Sequence, residues 1–175
     1  MTDAEALLDD LKRPWRHGEH VDARGLVLDE PLVLDGLEVR GFDLSDAVLG
    51  AGLSARGTRF RGLAWMRGTT VQGDCDLTGA SFRTDFRADR MASGDVMLDA
   101  CNLQGVLSLA GAKLSSLSLQ NALIMANLTL ENARIDGTVN LSGAEILGGL
   151  WTAQAKLGAL IDADADISGR VRLPG

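Results

Sequence analysis

The stretch Asn127–Ile146, NLTLENARIDGTVNLSGAEI, decides the fold. It holds four apolar doublets: Leu128 with Leu130, Ala133 with Ile135, Val139 with Leu141, and Ala144 with Ile146. Each doublet straddles a single residue, and successive doublets start five or six residues apart. Two inward side chains flanking one outward side chain is strand alternation. A helix cannot keep such doublets on one face, because five-residue steps advance about 140° past a full turn.

The rhythm extends in both directions from this stretch. The first members of the doublets run Val21, Leu26, Leu32, Leu37, Phe42, Ala47, Leu53, Thr58, Ala64, Thr69, Cys75 and Ala80. They continue Phe86, Met91, Val96, Cys101, Leu107, Ala112, Leu117, Ala122, and, beyond the quoted stretch, Leu150, Ala155, Leu160, Ala165 and Val171. Small and large first members alternate late in the chain. Where a step is six, the extra residue sits at a corner, often beside a glycine such as Gly62, Gly73, Gly105, Gly137 or Gly148, which permits positive φ. A fixed internal period is the signature of a solenoid.

The triplets Ala133-Arg134-Ile135, Ala144-Glu145-Ile146, Ala80-Ser81-Phe82 and Ala47-Val48-Leu49 resemble degenerate forms of the pentapeptide repeat, in which Ala, Asp or Asn, and Leu precede two variable residues. The likeness covers about residues 18–173. It implies an all-β fold, a right-handed quadrilateral parallel β-helix with four doublets per coil. Asp or Asn stands between the apolar pair only at positions such as Asp43, Asp76, Asn102 and Asn140. Coils should therefore average 21 to 22 residues, with bulged corners, giving about seven coils. A left-handed hexapeptide helix needs steady six-residue steps, which Ala112 to Leu117 to Ala122 contradict.

Thr2-Asp3-Ala4-Glu5 has the form of a capping box, and Leu7, Leu8 and Leu11 follow at helical spacing before Pro14. Residues 1–17 are thus an N-terminal capping unit, with a helix from 2 to about 13, and residues 18–175 are the solenoid. So short a helix must pack on something. The open first coil is the expected partner, with Trp15 joining the contact. A bare solenoid end offers unpaired strand edges, and the last coil ends at Leu173-Pro174-Gly175 with no capping helix in view. That leads us to expect a homodimer through the C-terminal coil, an arrangement the pentapeptide-repeat resemblance also implies.

Net charge is −7, which disfavours direct nucleic-acid binding. The charge is segregated. Residues 1–53 carry 12 acidic and 5 basic side chains, and residues 54–90 carry 4 acidic and 7 basic. The basic band is Arg56, Arg59, Arg61, Arg67, Arg83, Arg87 and Arg90. It is a candidate surface for an acidic partner, unless Asp74, Asp85 and Asp89 neutralise it. Trp65 and Trp151 fall between the members of a doublet, so both should point outward on one face as interface anchors. A second face carries Val27, Val48, Thr70, Ala92, Lys113, Arg134 and Lys156 in order, apolar at one end and basic at the other. Its apolar half is expected to lie under the helix.

No catalytic, cofactor or metal site is legible. His17 and His20 have no recognisable nucleophile beside them. Cys75 and Cys101 fall at inward positions, too few for a disulfide framework. Asp162, Asp164 and Asp166 alternate without the glycine-bearing loop of a calcium site, and the register puts Asp162 inward. There is no dinucleotide-binding, phosphate-loop or Cys-x-x-Cys motif. An acidic N-terminus without an apolar run, and no stretch approaching a membrane span, make a cytoplasmic protein the expectation. The functional expectation is a non-catalytic protein-binding or scaffold module with rigid faces. The resemblance also implies a DNA-mimicking alternative that binds a type II topoisomerase such as gyrase. A third alternative is a solenoid enzyme acting on a carbohydrate.

Overall fold

The computed structural model describes residues 1–172: one helix and 25 short strands, all of whose pairings are parallel. They form a solenoid of about seven coils. Each strand pairs with its equivalent one coil away. Phe42 stands beside Ala64, then Phe86, Leu107, Leu128 and Leu150, so each coil takes 21 or 22 residues. The chain visits four walls per coil. Face 1 is an eight-stranded sheet running from His20–Asp22 to Val171–Arg172, and face 4 is a seven-stranded sheet from Glu38–Val39 to Asp166–Ile167. Faces 2 and 3 belong to one ten-stranded sheet.

Two kinds of corner explain the period. Between faces 1 and 2, and between faces 3 and 4, the chain makes a tight turn closed by a hydrogen bond over three residues, as in Ala47 N–H to Leu44 O and Ala80 N–H to Leu77 O. The third residue of each turn is left-handed. Between faces 1 and 2 these are Gly25, Asp46, Gly68, Arg90, Gly111, Asn132 and Gln154; between faces 3 and 4 they are Gly36, Gly57, Gly79, Ala100, Asn121, Gly143 and Asp164. That is type II turn geometry, which favours Gly, Asn or Asp at this place. The residue closing each turn is inward and mostly small: Ala47, Thr58, Thr69, Ala80, Cys101, Ala112, Ala122, Ala133 and Ala144 are all buried. The large first members, such as Phe42, Leu53, Phe86, Leu107 and Leu128, follow the other two corners. The alternation of small and large is therefore an alternation of corner types.

The other corners vary in length. In the first three coils three residues separate the doublets of faces 2 and 3, as in Leu28 to Leu32, and the strands are separate. From the fourth coil on, the corner straightens into continuous strands, Ala92–Met97, Lys113–Ser118, Arg134–Asn140 and Lys156–Ile161. Arg134–Asn140 has one residue more than its neighbours, and the register shifts on both sides of it. Gly137 lies in that bulge, where a Cβ would stand 2.6 Å from Ser115 O.

The interior is a column of aliphatics with four phenylalanines near the N-terminal end. Phe60 and Phe82 stack at 4.7 Å, flanked by Phe42 and Phe86. Two buried threonines occupy alanine-type positions. Thr58 and Thr69 donate their hydroxyls to Leu34 O at 2.7 Å and Leu44 O at 2.8 Å, one coil back. A polar atom is tolerated inside because its partner is fixed by the ladder.

The helix spans Asp3–Leu11, with Thr2 as N-cap and a complete capping box to Glu5. Leu7 and Leu11 join the core, and Leu11 lines one small internal void together with Leu34, Phe42 and Phe60. The helix therefore plugs the end of the spiral. It does not lie on the apolar half of face 2: Val27 remains 57% exposed, because a plug along the axis leaves the walls uncovered. Trp15 is not a core residue either. It is 39% exposed and lies outside the wall over Gly62, where a Cβ would come within 2.7 Å of its Nε1. Leu173, Pro174 and Gly175 lie outside the described residues.

Candidate interaction surfaces

The arginine band is spread over several walls, with Arg59 on face 4, Arg87 on face 1 and Arg67 and Arg90 in the turns between faces 1 and 2, and it is largely neutralised. Arg59 and Arg61 pair with Glu38 at 3.7 and 3.3 Å, and Arg56 with Asp76 at 3.6 Å. Arg67 reaches Asp89 at 3.6 Å, and Arg87 reaches Asp85 at 2.7 Å. Arg83 and Arg90 are exposed and make no ion pair among the described residues. The expected carboxylates Asp85 and Asp89 do pair with the band. Asp74 instead accepts a hydrogen bond from Asp95 N–H at 3.0 Å.

Many acidic side chains have structural partners. Asp43, Asp76 and Asn140 each accept from the backbone N–H two residues on, entering a tight turn. Others tie one coil to the next. Asp35 accepts from Ser54 Oγ and Arg56 N–H, Asp99 from Ser118 Oγ and Gln120 N–H, and Asp89 from Ser108 Oγ. Asp85 accepts from Val106 N–H at 2.7 Å. These contacts span 19 to 21 residues of sequence, so no local pattern announces them. On the outer surface, the Arg24 guanidinium lies 2.7 and 2.9 Å from Asp22 and holds its carboxyl at about 2.

Trp65 and Trp151 stand on face 1 as expected, separated by Arg87, Ser108 and Thr129 in register. Both are half-buried rather than fully exposed. The Arg67 guanidinium sits over the Trp65 ring at 4.4 Å, a cation–π contact. Trp151 leans across Gly149, where a Cβ would lie 3.0 Å from its Nε1.

Neither cysteine is a reactive centre. Burial pushes both the Cys75 and Cys101 thiols up to about 12. His17 and His20 line an open groove of about 270 Å³ with Trp15, Arg61 and Thr84 beside the helix exit. Asp162, Asp164 and Asp166 are exposed. Register continues through the last coil, with Glu145 beside Asp166 and Ile146 beside Ile167, so no slip occurs. Asp162 holds an inward slot in the last described coil, beyond which no further coil stands among the described residues. Among the described residues no three His, Cys, Asp or Glu side chains are grouped to hold a metal ion.

Neither a protein-family model nor a curated protein matches this chain. No helix among the described residues is long and apolar enough to cross a membrane.

Proposed function

We propose that this chain is a non-catalytic binding module of the pentapeptide-repeat kind, which holds protein partners against rigid walls in the cytoplasm. One observation carries the reading. Met125 and Leu147 are 46% and 39% exposed at equivalent positions of adjacent coils, on a wall whose backbone is bonded to the coil on either side. Paired apolar side chains on an unyielding support suit partner docking. No cofactor and no direct nucleic-acid contact enter this proposal. Affinity capture from the native cell extract tests it: a partner held by the native chain should be lost with Met125→Gln/Leu147→Gln. Identical captures from both proteins would overturn it.

The end of the solenoid supports a second element, a homodimer through the last coil. Leu157, Leu160 and Ile167 are only partly buried there, and Ile161 and Val171 are 43% and 46% exposed. A second copy stacked on this end would bury Leu157, Leu160, Ile167 and Val171, whereas Ile161 points outward from the wall. The topoisomerase-binding alternative draws support from the net charge of −7 and the acidic first coils, and none from the arginine band. A gyrase supercoiling assay unchanged at several-fold molar excess would dispose of it.

A further inference from the structure

Met125 and Leu147 belong to a larger pattern on face 4. Two outward rows run along this wall. In one, Arg83, Gln104, Met125 and Leu147 follow one another on successive coils. In the other, Asn102, Leu123, Glu145 and Asp166 do the same. Leu123 is half-buried and shares a strand end with Met125, so it extends the apolar patch. Charge is divided about that patch. Towards the N-terminal end, Arg83 is exposed and makes no ion pair among the described residues. Arg61 lies beside it one coil back and shares the single carboxylate of Glu38 with Arg59. Towards the C-terminal end, Glu145 and Asp166 are exposed and directly opposite one another in register. Neither makes an ion pair among the described residues. Like charges directly opposite one another destabilise a sheet. An anion laid over Arg83 and a cation laid over Glu145 and Asp166 would each relieve a local cost.

The wall also limits the form of its occupant. Its backbone groups are bonded to the coils on either side, as in Met125 N–H to Leu103 O and Leu147 N–H to Ile124 O. No strand can be added there, because strand addition needs a free sheet edge. An occupant lying over the apolar patch must satisfy its own backbone, and a helix does so internally. The flat of the wall is narrow, as in Leu123-Ile124-Met125, about 10 Å across at roughly 3.3 Å per residue. That matches the diameter of one helix, about 10 Å. Arg83 and Asp166 are four coil steps apart, or about 19 Å along the axis. About 13 helical residues cover that distance. Helices favour acidic side chains in the first turn and basic ones in the last, because of the macrodipole. A helix with its N-terminus towards Arg83 therefore meets opposite charge at both ends.

We infer that face 4, from Arg83 to Asp166, is the docking site for one amphipathic helix of a partner protein, lying along the solenoid axis. Its acidic first turn lies over Arg83, and its basic last turn over Glu145 and Asp166. Leu123, Met125 and Leu147 receive its apolar stripe. The inference rests on the protein-docking proposal and adds the form, charge and direction of the partner.

Two peptides of about 14 residues test it, each clamped as a helix by a side-chain lactam on its outer face. Both carry the same leucine stripe. One has Glu in its first turn and Lys in its last, and the other has these reversed. Fluorescence anisotropy with the full chain should show saturable binding of the first, about tenfold tighter than the second. The difference should shrink as salt rises. Arg83→Glu/Glu145→Lys/Asp166→Lys exchanges exposed charges and should reverse the preference, and Met125→Gln/Leu147→Gln should weaken both peptides. Absence of saturable binding, equal affinity of the two peptides for the native chain, or an unreversed preference in the folded charge variant overturns the proposal. Equal binding of an unclamped peptide of the same composition in scrambled order overturns the helix. If Met125→Gln/Leu147→Gln converts a dimer to a monomer in light scattering, a second copy occupies the wall and the helix is overturned. Peptides that fail while the partner from cell extract is still lost with Met125→Gln/Leu147→Gln would remove the helix and keep the docking proposal.

Discussion

Ala100 occupies a left-handed position at φ 55° in a column otherwise filled by glycine, asparagine and aspartate. A Cβ there works against the backbone, so Ala100→Gly should stabilise the protein by about 1 kcal/mol. Gly57→Ala, with nothing within 4 Å of the added Cβ, should cost about 1 kcal/mol through backbone strain alone. Urea unfolding of the two variants measures both. The inward and outward assignment has its own test. Leu130 is fully buried and Thr129 is half-buried beside it. Leu130→Asp should cost more than about 3 kcal/mol by burying an unpaired charge, and Thr129→Asp less than about 1 kcal/mol. Equal melting temperatures would refute the register. The two thiols give a pH prediction. Both keep their proton to about 12 when folded, against 9.0 for a free thiol. A raised folded value means stability present at neutral pH and lost as pH rises from about 9 through 12. Thiol reagents at pH 8 should label neither cysteine until denaturant is added.

The tight turn is the unit that sets the coil. Its left-handed third position, its small closing residue and the Asx bond that leads into it recur down two edges of the solenoid. The small closing residues made these turns visible in the sequence as a rhythm, whereas the glycines the sequence singled out, Gly62, Gly73, Gly105, Gly137 and Gly148, lie at the other two corners, and only Gly73 among them has positive φ. The carboxylates that staple one coil to the next were not visible, since Asp99 and Gln120 are 21 residues apart. Asp99→Ala removes the acceptor for both Ser118 Oγ and Gln120 N–H, and should cost about 1–3 kcal/mol by chemical denaturation. Asp99→Asn keeps a carbonyl oxygen there and should lose less.

The whole molecule is a spiral with one plugged end. The capping box at Thr2 and the leucines at helical spacing predicted a helix over the first coil, and Leu11 is buried there. The last described coil has no such cover. Light scattering at micromolar concentration should therefore report a dimer, and Val171→Asp should shift it to monomer. A strict monomer in the unaltered chain would remove the C-terminal interface. The walls differ from one another because each row of outward residues runs the full length of the rod. Face 2 passes from exposed Val27 to exposed Lys156, giving one wall two chemistries.

The sequence by itself determined the coil. Two-residue alternation broken every five or six residues leaves a parallel spiral as the arrangement that buries all the doublets, and a strong periodic signal needs no tertiary information to be read. It also determined which side chains point in, down to the two inert cysteines. Only the tertiary structure decided what the outward residues do. Apart from Arg87 with Asp85, the ion pairs of the band join residues one coil apart, 20 to 23 positions along the chain, so composition showed a basic band where the fold makes ion pairs. The same stacking brought Lys113, Arg134 and Lys156 into one row, in which Arg134 alone pairs with a carboxylate, Asp136, among the described residues. Distances across a solenoid are set by the stacking of coils, and sequence proximity carries no measure of them.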